Sequence, residues 1–592
     1  MDWQSSAVIV EIQFQRYYYS NNRVKIFLTS RPRSSLESNI HVISNVTIRR
    51  FTNTGISLDV NHDTTVIKNC LITNANANCV SVSGERSAVE LLNNTFQDNG
   101  NSAYATSVLV SSINYYVSFY ANGNTFYNNN VTKMLKLFIT YDVARTVIKI
   151  ANNDILNNTC ENLVDVEYAG NSYASSLRSS QTISLANNYW RHNQMRSTSV
   201  ILKRTNNWYC TGYIINVLLM ENDFLDNIGL GIVNIQSLFS SGRGIVDIQY
   251  LSTSIIVNSN FLQRNVLEKS AIVAALQGYN NDISLLHNRL FNNTAEKLVD
   301  VTGNGPMVVI RNNSMVHNEI DKSIFNLITG SDIPYLAHYR VAGDISLLHN
   351  SFFNNTAEKL VNVIRNSWKV VIRDNSMVHN EIDKSIFDLV TGIDIPYLTH
   401  YRVASNISLL HNSFFNNTAE KLVNVVGKSR KVVIHDNSMM HNEVDKSILN
   451  AYGADSFKFT RNSLIANGLR RRYLSLPYNA IYNVSAVICS SKIIRTSLNE
   501  NFFENPLFPW ELIFTQTFKP YEIDGKYNWW GSKDEKEIIL RIFDFRWRNY
   551  LPRLNFSPFL ASANLSDVFT GETKVNFRND SVERRQADLW RH

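Results

Sequence analysis

A block recurs three times at a spacing of 62 residues, from 283 to about 450, and its copies are nearly identical. ISLLHNRLFNNTAEKLVDV begins at Ile283 and returns, little changed, at Ile345 and Ile407. The second half, VVIRNNSMVHNEIDKSIF from Val308, returns at Val370 and Val432 with the same spacing. Both halves carry Asn-x-Φ-x-x-Asn, where Φ is apolar. That motif also begins at Asn69, Asn94, Asn124, Asn153, Asn188 and Asn222, then at Asn288, Asn313, Asn350, Asn375, Asn412, Asn437 and Asn462. Self-similarity at short intervals means stacked units, none able to bury its apolar face alone.

Motif starts lie 25, 30, 29, 35 and 34 residues apart from Asn69 to Asn222, and from Asn288 to Asn437 alternate between 25 and 37. A helical solenoid needs about 33 to 47 residues per unit and a 3.6-residue apolar period. These units instead hold short β-branched and aromatic runs split by Asn and Asp, which suits strands. In VVIRDNSMVHNEIDKSIFDLV, strands are predicted at Val370–Ile372, Ser376–Val378 and Ser385–Val390. Asn375 and Asn380 fall at the bends, where Asn tolerates the left-handed conformation. Stacked in register, such coils place Asn above Asn at about 4.8 Å and let the amides bond along the stack. A structural ladder is therefore expected at Asn313, Asn318, Asn350, Asn355, Asn375, Asn380, Asn412, Asn417, Asn437 and Asn442. The predicted fold is an all-β, single-stranded parallel β-helix of the pectin-lyase-like kind. Strand twist and crossover preference favour the right-handed form.

The solenoid is expected over residues 1–505, followed by a cap over 506–563 and a polar tail or linker over 564–592. The net charge of +7 is spread along the 592 residues, with one dense cluster at Arg470-Arg471-Arg472 that reads as a solvated loop. Scattered Lys and Arg make no nucleic-acid groove. No run of about 18 apolar residues offers a membrane span in this segment. MDWQSSAVIVEIQFQRYYYSNN reads as strand and lacks the build of a signal peptide. The five cysteines, Cys70, Cys79, Cys160, Cys210 and Cys489, lack metal-ligand spacing, while Cys70 and Cys79 share one coil and are candidates for a disulfide. Twelve glycosylation sequons occur, Asn45, Asn93, Asn130, Asn157, Asn292, Asn354, Asn416 and Asn483 among them, and several sit at corners where Asn is expected to point inward.

Catalysis on such a fold requires a convergent polar cluster. Glycoside hydrolysis uses two carboxylates at a defined separation. The best charged string is His317-Asn318-Glu319-Ile320-Asp321-Lys322, which recurs around His379, Glu381, Asp383 and Lys384 and around His441, Glu443, Asp445 and Lys446. Triplication marks it as copied surface charge, and weak carboxylate–imidazole metal binding is the most it suggests. Asp59 and Asp63, with His62 between them, read as turn formers. No catalytic residue, cofactor or metal site is predicted.

After Asn505 the composition changes. Lys526-Tyr527-Asn528-Trp529-Trp530-Gly531 precedes SKDEKEIILRIFDF, whose apolar spacing predicts a short helix over Asp534–Phe545 with Ser532 or Asp534 as N-cap. Asn528, Trp529, Trp530 and Gly531 are expected to cap the stack. Asn-Trp-Trp-Gly, followed by acidic residues, Arg541-Ile542-Phe543-Asp544-Phe545 and Pro558-Phe559-Leu560, resembles the ends of β-helix blocks in the protein bark beetle (Anakonda) family. Members of that family are large single-pass animal membrane proteins of tricellular junctions, with cysteine-rich and lectin-like modules beside the β-helix blocks. The resemblance covers most of residues 40 to 563. It implies a glycoprotein ectodomain fragment on the extracellular side of the plasma membrane, although none of the accompanying modules lies within these residues.

Two functions follow as expectations. The first is a non-enzymatic extracellular rod in cell–cell adhesion or junction organisation, with protein partners and self-association on the loops Asp332–Arg340 and Asp394–Arg402. The alternative is a polysaccharide-binding or polysaccharide-cleaving β-helix, a lyase or hydrolase. It requires acidic and aromatic residues from neighbouring coils to meet in one groove.

Overall fold

A computed structural model of the chain describes residues 7–10, 26–29, 40–51, 54–61, 63–85, 87–100, 107–114, 117–140, 145–170, 179–206, 213–237, 252–276, 280–303, 307–329, 343–365, 369–391, 405–470, 486–516, 522–548, 551–562 and 568–569. They are almost wholly strand, with one helix among them, Glu535–Leu540. They fall into two compact units, Met1–Asp344 and Ile345–His592. Within each, strands pair in parallel with the coil before and the coil after, giving the all-β parallel β-helix predicted from the repeat.

One coil of the second unit shows how the sequence folds. Lys369–Arg373 is a strand whose Val370 and Ile372 face inward. Ser376–Val378 is a three-residue strand with only Met377 inward, and Glu381–Thr391 is the long third strand. Apolar alternation supplies the inner face, and parallel pairing to both neighbours satisfies the backbone.

The corners differ from expectation in one respect. The left-handed residue is the one before each ladder Asn: Asp374 has φ 56° and His379 has φ 55°, ahead of Asn375 and Asn380. The same holds at Asn93, Asn128, Asn187, His287 and His411, mostly Asn, Asp and His. These residue types best tolerate a conformation that costs other side chains roughly 1–2 kcal/mol. Asn375 and its counterparts are selected for hydrogen bonding instead.

In the first unit one ladder runs through Asn94, Asn124, Asn153, Asn188, Asn222, Asn260, Asn288 and Asn313. A second, at the next corner, joins Asn99 through Asn129, Asn158, Asn193, Asn227, Asn265 and Asn293 to Asn318. Asn260 and Asn265 obey the same spacing and complete the series. At each rung the backbone N–H and the side-chain Nδ2 both donate to the next Oδ1, as from Asn94 to Asn124 at 2.9 and 3.0 Å. Nδ2 also donates to a carbonyl of the coil before, Ile67 O at 2.7 Å for Asn94. Each buried amide is thereby fully used.

Asn69 does not belong to the ladder. Pairing of Thr95 with Leu71 puts Cys70 and Ala75 in the rung positions, and pairing of Thr47 with Leu71 puts Val46 and Phe51 there one coil earlier. Asn69 and Asn74 take the left-handed corner positions, φ 53° and 57°. The first coils thus replace amide rungs with apolar ones.

In the second unit the ladders run from Asn350 through Asn375, Asn412, Asn437, Asn462 and Asn501 to Asn528, and from Asn355 through Asn380, Asn417, Asn442 and Asn467 to Asn505. Stacking continues past Asn505, since Arg553–Asn555 pairs with Glu522–Asp524. Asn528 of the Asn-Trp-Trp-Gly segment is the last rung of the first ladder, its Nδ2 donating to Leu498 O and Gly525 O. Trp530 is fully buried and stacks on Phe503 at 4.7 Å, while Trp529 is half-buried and donates its backbone N–H to Asn501 O at 2.8 Å. Gly531 takes φ 77°, with Phe503 O 3.2 Å from where a Cβ would stand.

The helix starts as expected, with Asp534 capping the Lys536 N–H at 2.9 Å. It stops at Leu540, short of Phe545, because Ile542–Phe543 leaves it to pair with Leu512–Ile513. Tertiary pairing overrides the helical spacing there. Asp544 is buried and accepts from the Arg546 backbone N–H and the Leu554 N–H, both at 3.0 Å.

Candidate interaction surface

Since the central residue of each three-residue strand points inward, its neighbours and the corner residues face outward. In the second unit the register aligns Phe353, Val378, Phe415 and Met440 on that outer side. The corner residues beside them are Asn354, His379, Asn416 and His441. Rings from the two series interleave edge to face: Phe353–His379 at 5.7 Å, His379–Phe415 at 6.0 Å and Phe415–His441 at 5.5 Å. Asn416 Nδ2 lies 2.8 Å from His379 Nδ1. Phe353 and Phe415 remain 38% and 40% exposed, too open for core residues. In the first unit Phe291 and His317 repeat the pairing at 5.7 Å.

The other corner of the second unit carries a polar series of His and Asp. His349 Nε2 lies 3.7 Å from Asp374, and His411 Nδ1 lies 3.8 Å from Asp436. Asp436 also meets His435 at 3.0 Å and Arg461 at 3.1 Å. One corner thus presents aromatic and imidazole rings, the other imidazoles and guanidinium beside carboxylates.

The triplicated string does not converge. Its lysines reach back one coil to the Glu of TAEKLV: Lys322–Glu296 at 2.5 Å, Lys384–Glu358 at 2.8 Å and Lys446–Glu420 at 2.9 Å. The Lys322 hydrogen bond holds Glu296 below the usual carboxylate range, and the Glu358 bond raises Lys384. Its histidines join the ring series instead, and Glu381 reaches Arg470 at 3.7 Å. Among the described residues no three His, Cys, Asp or Glu side chains are placed to hold a metal ion.

Asp63 is not a turn former. It is buried, with His41 Nε2 at 3.1 Å from its carboxylate, and Asp59 lies within strand Ile56–Asn61. Cys70 and Cys79 are both buried free thiols, so the disulfide that their spacing allowed is not formed. Cys70 Sγ donates to Lys68 O at 3.3 Å, as its rung position dictates. The sequon residues Asn45, Asn93, Asn130, Asn157, Asn292, Asn354 and Asn416 are all exposed, against the expectation that corner Asn points inward. The inward amide belongs to a neighbouring Asn in most of these sequons. Asn483, Cys210, His62, Arg471, Arg472, the loops Asp332–Arg340 and Asp394–Arg402 and most of the tail lie outside the described residues.

A third polar series on the long strands was missed in the sequence. Asn362, Asp388, Asn424 and Asn450 align in register. Asn424 Nδ2 donates to Asp388 at 2.7 Å, Asn450 Nδ2 to Asn424 at 2.7 Å, and Lys359 pairs with Asp388 at 2.6 Å. The signal was a polar residue at one fixed place in each apolar run, LVNVI, IFDLV and LVNVV.

No family model matches the chain, and no curated protein matches it. Among the described residues no helix is long and apolar enough to cross a membrane.

Proposed function

We propose that the chain is a non-enzymatic, extracellular β-helix segment that binds protein partners in cell–cell adhesion or junction organisation, in the manner of the bark beetle family that it resembles. The observation that carries this reading is the outward row of imidazoles, His379 and His441, which recurs with the 62-residue block and is braced edge to face by Phe353 and Phe415. A repeated surface offers many equivalent weak contacts, which suits avidity between cells. The catalytic alternative draws its best residues from the triplicated string, and their lysines are taken up in ion pairs with the preceding coil.

The test displays the full chain on non-adherent cells and counts aggregates against cells carrying a His379→Ala/His441→Ala variant. Aggregation with either itself or a partner cell type, lost in the variant, supports the reading. No aggregation with any cell type, joined to binding on an array of polysaccharides, moves the chain to the carbohydrate class.

A further inference from the structure

Three phenylalanines on the outer side of the short strands, the half-buried Phe291 and the exposed Phe353 and Phe415, share a sequence neighbour. Phe291, Phe353 and Phe415 each immediately precede a left-handed corner Asn: Asn292, Asn354 and Asn416, with φ of 53°, 51° and 50°. Each of these Asn opens a sequon, Asn-Asn-Thr, whose middle Asn is a buried ladder rung. Ladder geometry thus fixes which amide is inside and which is outside. In the Asn354 sequon, Asn355 is held by Asn380 at 3.0 Å, while Asn354 is exposed at the corner. Among the described residues, no other sequon Asn follows an aromatic residue.

The geometry points to N-linked glycans on Asn292, Asn354 and Asn416, each with its first sugar lying over the Phe that precedes it. This rests on the extracellular reading above, because the donor is a lipid-linked oligosaccharide pyrophosphate of the secretory pathway. The new bond joins Asn Nδ2 to the sugar's anomeric carbon. The bond from that carbon to the pyrophosphate oxygen breaks, the lipid pyrophosphate leaves with the electron pair, and the amide loses one proton. A sugar then sets a face of C–H bonds against the electron-rich face of the ring, the same electrostatic match that orders aromatic pairs. This explains why a soluble surface keeps Phe353 and Phe415 as exposed as 38% and 40%. The contrast is Asn157, an exposed corner sequon of the same ladder type preceded by Leu156.

The full chain, secreted from animal cells behind a supplied signal sequence, tests this by glycopeptide mass spectrometry. Most molecules are expected to carry glycan at Asn354 and Asn416. Enzymatic deglycosylation is expected to lower the melting temperature, and to lower it less in a Phe353→Ser/Phe415→Ser variant. Empty sites at Asn354 and Asn416 would overturn the proposal, whether or not Asn45 or Asn130 is occupied. An equal thermal shift in wild type and variant would overturn the sugar–Phe contact. Because the host supplies the compartment, either failure leaves the extracellular reading standing. Sites filled in the host but empty on protein from its native source count against that reading instead.

Discussion

Asn505 and Glu511 meet where the second amide ladder ends. The Asn505 backbone N–H and Nδ2 donate to the two carboxylate oxygens of Glu511 at 3.2 and 3.0 Å, in the places that the next Asn's Oδ1 would fill. Arg541 donates to Glu511 as well, and to Asn505 O at 2.9 Å and Trp530 O at 3.1 Å. The ladder is thus closed by Glu511 and Arg541, and Arg541 ties Trp530 to the same point.

Burial pushes the Glu511 carboxyl up, with Arg541 and Asn505 opposing. A raised folded-state value means that the folded protein holds the proton more tightly than the unfolded chain. The stability that this contributes is complete below the ordinary carboxylate range and is lost as pH rises through the raised value. The stability of wild type relative to Glu511→Gln is therefore expected to fall as pH is raised from about 4, the bottom of the ordinary range. Denaturant titrations across pH measure this, and a flat difference would contradict the burial effect.

Asn375 receives two N–H bonds from Asn350, at 2.9 Å each, and gives two to Asn412 and one to Leu347 O, between 3.0 and 3.1 Å. Asn375→Ala leaves buried donors and a carbonyl unpaired, at about 1–3 kcal/mol for each group left unsatisfied. Asn375→Asp is expected to be worse, since a carboxylate would face the Asn412 oxygen. Asp374→Asn, at the half-buried corner beside it, should shift stability by less than about 1 kcal/mol. Urea midpoints for the three variants give the ranking.

Gly427 has φ 121°, and a Cβ there would stand 1.6 Å from Thr391 O. Gly427→Ala requires the coils to part, because a backbone carbonyl cannot turn aside as a side chain can. A loss of several degrees in melting temperature is expected, larger than for Gly468→Ala, whose Cβ would meet only the Leu507 side chain at 3.1 Å.

The thiols of Cys79 and Cys160 are driven up by burial, and that of Cys489 is pushed up to about 11. All three stay protonated at neutral pH, and the thiolate is the reactive form. Iodoacetamide should leave them unmodified in the folded chain and alkylate them in denaturant. A Cys70–Cys79 disulfide recovered by peptide mapping would contradict the structure.

The coil was legible because its spacing and strand runs are local, and the predicted strands at Val370, Ser376 and Ser385 fall within the observed ones. Non-local register was harder to read. At Asn69 the motif matches one residue out of step, since only pairing with Thr95 shows that Cys70 is the rung. Which of two adjacent polar residues turns the corner depends on what lies in the next coil, so the sequence points to Asn375 where the structure has Asp374 in the left-handed role. The His41–Asp63 pair was hidden because its partners lie 22 residues apart on successive coils. The outward Phe–His series was equally invisible until stacking brought the repeats together.

The most direct test of the account is surface labelling of intact, unpermeabilised native cells with antibody raised against this chain. The adhesive reading predicts signal on the outer face, concentrated where cells meet. Signal that appears only after permeabilisation would contradict it.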